Sequence, residues 1–163
     1  MSSQPAPEGM KKISFGEKLK KNQILLDLKG ESRDEIIREL AKCLKGNEKI
    51  VDFDGFLEHV FKRENEASTG IGNGVAIPHA RTNRVSDFIV AIGRKSPGID
   101  FQAVDGKPVE IVILMGTPLT KVNMYLKLLS HLSHLLKLPG FVDSLKRAPD
   151  PDAVIDTFLA HEK

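Results

Sequence analysis

The residues best suited to chemistry lie between positions 63 and 81. Gly70, Gly72 and Gly74 alternate through a stretch that leads into Val75-Ala76-Ile77-Pro78-His79. Glycine at this density permits positive φ and close backbone approach, so that N–H groups around Gly70, Gly72, Asn73 and Gly74 can converge on an anion. Ser68 and Thr69 add hydroxyl donors just ahead of them. Pro78 fixes its own φ and biases Ile77 to an extended conformation, which aims His79 with little backbone freedom. A neutral imidazole is a good nucleophile, and with an ordinary pKa of about 6.5 it is mostly neutral at physiological pH. A phosphoryl group on that ring would bring about two negative charges, and Arg63, with its planar fork, is well suited to meet them. Taken singly, the glycines also read as a tight strand-connecting loop, and His79 as a partly buried histidine satisfied by its neighbours. The stretch lacks the Gly-Lys-Ser/Thr ending and the following helix of a nucleotide phosphate loop.

The flanking elements follow from apolar periodicity. Ile24-Leu25-Leu26-Asp27-Leu28, closed by Gly30, predicts a buried strand. Ser32 with Glu35 forms a capping-box signature for a helix carrying Ile36, Ile37, Leu40, Ala41 and Leu44, stopped at Gly46. A second helix begins near Asp52 or Asp54, carries Phe56, Leu57, Val60 and Phe61 on one face, and runs out near Arg63 and Glu64. Residues 67–74 hold too much glycine for a helix and too little apolar content for a strand, so they read as a loop. Val75-Ala76-Ile77, Phe88-Ile89-Val90-Ala91-Ile92 and Val109-Glu110-Ile111-Val112-Ile113-Leu114-Met115 read as strands, the last two buried on both faces. Pro97-Gly98 and Asp105-Gly106 supply turn chemistry between them. A long helix is expected over 121–138, ended by Pro139-Gly140, and two short ones over 142–146 and 152–159. Helices and strands interleave without strict βαβ alternation, which predicts an α/β fold with a mixed central sheet and helices on both faces.

At 163 residues the chain can build one domain with one sizeable core, here aliphatic, since there is no Trp and a single Tyr. We expect a loose tail over residues 1–10 and one domain over 11–163. The 24 basic residues are nearly balanced by 22 acidic ones, unlike the concentrated basic surface of a nucleic-acid binder. The lysines at 11, 12, 18, 20 and 21 read as a solvated face. Cys43 stands alone, so no internal disulfide or cysteine metal cluster is expected, and a cytoplasmic, reducing compartment fits. No apolar run approaches the roughly 18 to 20 residues of a membrane span, so direct membrane insertion is not expected. His131 and His134 share a helix face but lack a carboxylate or cysteine set, and we place them in solvent. His59 and His161 also read as surface residues. The residues present require no metal or cofactor.

The ordered run Arg63-Glu64-Asn65-Glu66-Ala67-Ser68-Thr69-Gly70-Ile71-Gly72-Asn73-Gly74-Val75-Ala76-Ile77-Pro78-His79-Ala80-Arg81 closely resembles the active-site signature of the fructose/mannitol-type enzyme IIA family of the bacterial sugar phosphotransferase system. That family includes the nitrogen-regulatory enzyme IIA proteins. The resemblance extends from about residue 13 to about residue 159. It implies that His79 accepts a phosphoryl group from a histidine-containing phosphocarrier protein, that Arg63 and Glu64 lie beside it, and that the fold is a mixed sheet between helical layers. The chain departs from the family in placing Tyr125 where many relatives have a second histidine, and Ala67 where glycine is frequent. A tyrosine hydroxyl can donate to a phosphoryl oxygen but does not become cationic near neutral pH.

Two functions are consistent with this pattern: an enzyme IIA that passes phosphate to an enzyme IIB in sugar uptake, and a regulatory module whose phosphorylated and free forms bind different proteins. We expect a stand-alone chain without an attached membrane or cysteine-bearing domain, which with Tyr125 favours the regulatory output. Hydrolysis by Ser68 or Ser130 fails, because no nucleophile-elbow pattern surrounds either serine.

Overall fold

A computed structural model describes residues 13–163. The expected tail over residues 1–10, with Lys11 and Lys12, lies outside the described residues. Six strands form one sheet: β1 (Ile24–Leu25), β2 (Gly70–Gly72), β3 (Val75–Ala76), β4 (His79–Thr82), β5 (Ile89–Ile99) and β6 (Val109–Pro118). The α-helices of the described residues are α1 (Phe15–Lys18), α2 (Arg33–Lys42), α3 (Phe53–Glu66), α4 (Val122–Lys137), α5 (Phe141–Arg147) and α6 (Pro151–His161).

The continuous apolar run of β6 makes it the spine of the sheet. It pairs antiparallel with β5 on one side and parallel with β3 and then β4 on the other. β1 adds parallel to β5, and β2 antiparallel to β3. Ile111, Ile113 and Met115 pack in one core with Leu128, Leu132, Phe141 and Phe158. Val112 and Leu114, pointing the other way, pack in a second core with Ile36, Leu40, Phe56 and Val60. Alternation along one strand thus builds two helical layers, because successive side chains leave opposite faces. The mixed sheet with helices on both faces is the architecture expected from the sequence.

Two helices position the site. In α3, the Asp52 carboxylate accepts from Gly55 N–H at 3.2 Å, and Phe56, Val60 and Glu64 form the buried stripe. Phe56 lies against Gly116 of β6, where a Cβ would come within 2.6 Å of its ring; the missing side chain brings α3 close to the stretch of β6 that carries β4. In α4, Leu128, Leu132 and Leu135 are buried at helical spacing, which fixes the rotation of Tyr125 one turn ahead.

Several local expectations differ from the structure. The strand at 24–28 shortens to β1, although Leu28 N–H still donates to the Arg94 carbonyl at 3.0 Å. The first helix ends at Lys42, before the turn at Gly46, and α3 continues to Glu66. Residues 70–72, expected as loop, form β2, because glycine allows the backbone to lie against Ala103, where a Cβ at Gly70 would sit 2.8 Å from its methyl carbon. β4 has no apolar alternation of its own and forms by pairing with β6. Pro97-Gly98, expected as a turn, lies within β5, where the register shifts between Arg94 and Ile99.

Candidate functional site

His79 opens β4, opposite Met115 of β6, and is 8% exposed. Its Nδ1 lies 2.7 Å from the Ile77 carbonyl oxygen. A carbonyl only accepts, so Nδ1 carries the hydrogen and the neutral ring keeps its lone pair on Nε2. Nε2 in turn lies 3.1 Å from the Tyr125 hydroxyl, which donates to it. The two rings are 5.7 Å apart. Burial is the main influence that holds the His79 pKa below the ordinary histidine range, and the Arg63 charge adds to it; the Ile77 carbonyl and Glu64 carboxylate act in the opposite direction. The outcome is a buried, neutral imidazole with one oriented nucleophilic nitrogen.

His79 opens onto a cleft of about 400 Å³. α3 contributes His59, Lys62, Arg63 and Glu66 to its walls, β4 contributes His79, Ala80 and Arg81, and α4 contributes Tyr125. Arg63 Nη1 donates to the Ala67 carbonyl at 2.8 Å, which satisfies an open carbonyl at the end of α3 and steadies the guanidinium. The Arg81 guanidinium stands 5.2 Å from the Tyr125 ring centre. With Lys62, Arg63 and Arg81 against Glu66, the cleft holds an excess of positive charge suited to an anion.

The structure therefore brings His79, Arg63 and Tyr125 together. It does not bring Ser68, Thr69, Gly70, Gly72, Asn73 or Gly74 to the cleft walls. The Ser68 hydroxyl donates to the Phe101 carbonyl and accepts from Gly70 N–H. Glu64, 1% exposed, accepts from Thr69 N–H at 2.9 Å and from the Thr69 hydroxyl at 2.6 Å. Glu64 thus anchors the start of the glycine segment rather than facing an incoming group. Asn73 and Gly74 adopt φ values of 57° and 78° in the turn between β2 and β3 and line a separate cavity beside Asp105 and Lys146. The glycines allow Ile77 N–H to reach the Thr69 carbonyl at 3.0 Å, which sets the approach of Pro78 and His79.

Three histidines depart from their expected places. His59 is not a plain surface residue: it is half-buried in the cleft wall, with Nδ1 2.6 Å from the Thr82 hydroxyl. Its spacing with 62, 63 and 66 is a helical stripe that the sequence already contains. His131 is not in solvent either. Its side chain is 11% exposed, stacks on Phe15 and donates from Nε2 to the Glu162 carboxylate at 2.6 Å. His134 is exposed as expected, while His161 is half-buried and donates from Nδ1 to the Thr157 carbonyl at 2.8 Å. Burial pushes the Cys43 thiol up to about 11, so it stays protonated at neutral pH. Among the described residues, no helix is long and apolar enough to cross a membrane.

Residues 17–161 match the family described as phosphoenolpyruvate-dependent sugar phosphotransferase system, EIIA 2. The chain is 35% identical over 151 residues to the fructose-specific EIIABC component of Bacillus subtilis, covering 93% of this chain and 24% of that protein's length. Among solved structures it is similar to the nitrogen regulatory protein IIA-Ntr of Neisseria meningitidis, with 30% identity, a TM-score of 0.81, and coverage of 88% of this chain and 97% of the other. The enzyme IIA mannitol of Escherichia coli, solved in complex with phosphorylated enzyme IIB mannitol, shares the fold at 18% identity and a TM-score of 0.76, over 88% and 98% of the two chains.

Proposed function

This chain belongs to the EIIA 2 family of the phosphoenolpyruvate-dependent sugar phosphotransferase system, and from that membership we propose that it is a phosphocarrier that accepts a phosphoryl group on His79 Nε2. The observation that carries this reading is the commitment of Nδ1 to the Ile77 carbonyl, which leaves the Nε2 lone pair facing a cationic cleft beside Tyr125 and Arg63.

The donor is a phosphohistidine on a histidine-containing phosphocarrier protein. His79 Nε2 attacks phosphorus in line; the new Nε2–P bond forms as the donor's N–P bond breaks, and the electron pair returns to the donor ring. Each ring keeps the hydrogen on its other nitrogen, so no proton has to cross. The Tyr125 hydroxyl, released from Nε2, turns to a phosphoryl oxygen, and Arg63 meets the equatorial charge with its fork. Both sides of the exchange are phosphohistidines, so the step is nearly balanced and reversible. Glu64 positions the segment that delivers His79 and touches no reacting atom.

For the output, we favour a regulated protein that distinguishes the phosphorylated from the free form, in the cytoplasm. The support is the likeness over 97% of the nitrogen regulatory protein and Tyr125 in place of a second imidazole. A second reading, delivery to an enzyme IIB in fructose-type uptake, is supported by the fructose-specific relative and by the solved complex of enzyme IIA mannitol with its phosphorylated IIB. Incubating the chain with enzyme I, phosphocarrier protein and labelled phosphoenolpyruvate tests the common step: we expect acid-labile label on His79. Label retained in His79→Ala would overturn the assignment. Discharge by an enzyme IIB would then favour uptake, and a state-dependent pull-down without discharge would favour regulation.

A further inference from the structure

The cleft contains a second imidazole, that of His59. His59, Lys62, Arg63 and Glu66 stand at spacings of three, four and seven on α3, so they form one stripe, and all four line the His79 cleft. His59 therefore faces the cleft one helical turn from Arg63.

The hydrogen bonds of Thr82 determine which ring nitrogen of His59 faces that space. Thr82 is 1% exposed, and its hydroxyl oxygen accepts from Arg84 N–H at 3.0 Å. The hydroxyl hydrogen needs an acceptor, and the His59 Nδ1 at 2.6 Å is the one the described residues supply. If Nδ1 were the donor, that buried hydrogen would have no partner, at the cost such groups incur. The satisfied arrangement has Thr82 donating to Nδ1, which places the His59 hydrogen on Nε2. His59 and His79 are thus fixed in opposite tautomers by neighbouring strand and loop groups. One offers a lone pair to the cleft and the other offers an N–H.

We propose that His59 is a phosphoryl-binding residue, whose Nε2–H donates to an oxygen of the phosphoryl group on His79 from the α3 side while Tyr125 donates from the α4 side. This rests on the reading of His79 as the phosphoryl acceptor. An imidazole donor then returns to the site from a different helix, although Tyr125 occupies the place where many relatives carry their second histidine.

The test uses the full chain, ¹⁵N-labelled and phosphorylated with potassium phosphoramidate as a small-molecule donor. Long-range ¹H–¹⁵N correlation through the rings should show His59 with its hydrogen on Nε2 before phosphorylation, and a shifted, exchange-protected Nε2–H after it. His59→Phe should shorten the phospho-His79 half-life about tenfold, the loss expected for one donor to a charged group. His59→Gln, which keeps an N–H, should stay within about threefold of the wild type. Should His59→Phe melt early, Thr82→Val carries the test: it leaves His59 in place and removes the hydroxyl that sets its tautomer, so the half-life should again fall. A hydrogen on His59 Nδ1, or half-lives unchanged in a folded His59→Phe or Thr82→Val, would overturn the proposal alone. Wild-type chain that takes no phosphate on His79 either from phosphoramidate or from the phosphorylated carrier protein would instead overturn the reading beneath it.

Discussion

His79 and His131 are shielded from solvent to nearly the same degree, 8% exposed for the residue and 11% for the side chain, yet their partners differ in kind. His79 has a carbonyl on Nδ1, a hydroxyl on Nε2, and beyond that hydroxyl an open, cation-lined cleft. His131 donates to the Glu162 carboxylate and stacks on Phe15. That same carboxylate accepts from Ser14 Oγ and from the N–H groups of Phe15 and Gly16, joining α1 to the end of α6. Burial alone does not distinguish a reactive histidine from a structural one. The difference lies in whether the outer nitrogen is left a replaceable neutral partner or bound into a closed set of hydrogen bonds to a carboxylate.

The comparison is broken most directly by removing each histidine's chemistry and reading both transfer and stability. His79→Ala should lower labelling by about a thousandfold or more, since it deletes the nucleophile, while urea unfolding shifts little. Glu162→Ala should do the reverse. It strands His131 Nε2–H and two backbone N–H groups, and we expect a loss of about 3 kcal/mol in urea denaturation with labelling of the folded protein unchanged. Slower labelling of a stable Glu162→Ala chain would mean that the two regions are coupled.

Smaller effects sharpen the account of the cleft. Arg63→Lys keeps the charge but loses the fork, and transfer should fall about ten- to a hundredfold without a change in melting temperature; an unaltered rate would remove the bidentate role. Tyr125→Phe should shorten the phospho-His79 half-life or slow its formation by about tenfold, as expected when one donor to a charged group is lost. Tyr125→His should restore or raise transfer. Unchanged kinetics in both would leave Tyr125 as a packing residue.

The smallest effect is in pH dependence. The folded-state pKa of His79 lies below its unfolded value, so protonation favours the unfolded chain. The stability contribution is therefore lost as pH falls through about 6.5 and levels off below the folded value. An NMR titration of the His79 ring should show its midpoint below about 6.5, and a midpoint at or above that value would contradict the burial argument.

Much of the fold was legible because it depends on local chemistry. Continuous apolar runs marked the strands at 88–92 and 109–115, helical spacing marked Leu128, Leu132 and Leu135, and Asp52 and Ser32 capped their helices as expected. β4 was not legible, because His79-Ala80-Arg81-Thr82 has no strand pattern and is held by β6, more than thirty positions away. β2 was missed for a related reason: glycines carry no apolar signal, and their use here is close approach to Ala103.

The site divides in the same way. Sequence order singled out His79 and Arg63, because Pro78 aims the histidine and the signature supplies a cation, whereas Tyr125 was singled out only through the family resemblance. Residue order alone suggested a glycine loop that cradles an anion, whereas tertiary contacts engage Ser68 with Phe101 and Thr69 with Glu64 and turn Asn73 and Gly74 toward Asp105 and Lys146. His59 and His131 changed meaning only on folding. Their decisive partners, Thr82 and Glu162, lie 23 and 31 residues away in sequence. A side chain's type determines which hydrogen bonds it can make, but packing across the sheet determines which of them remain open.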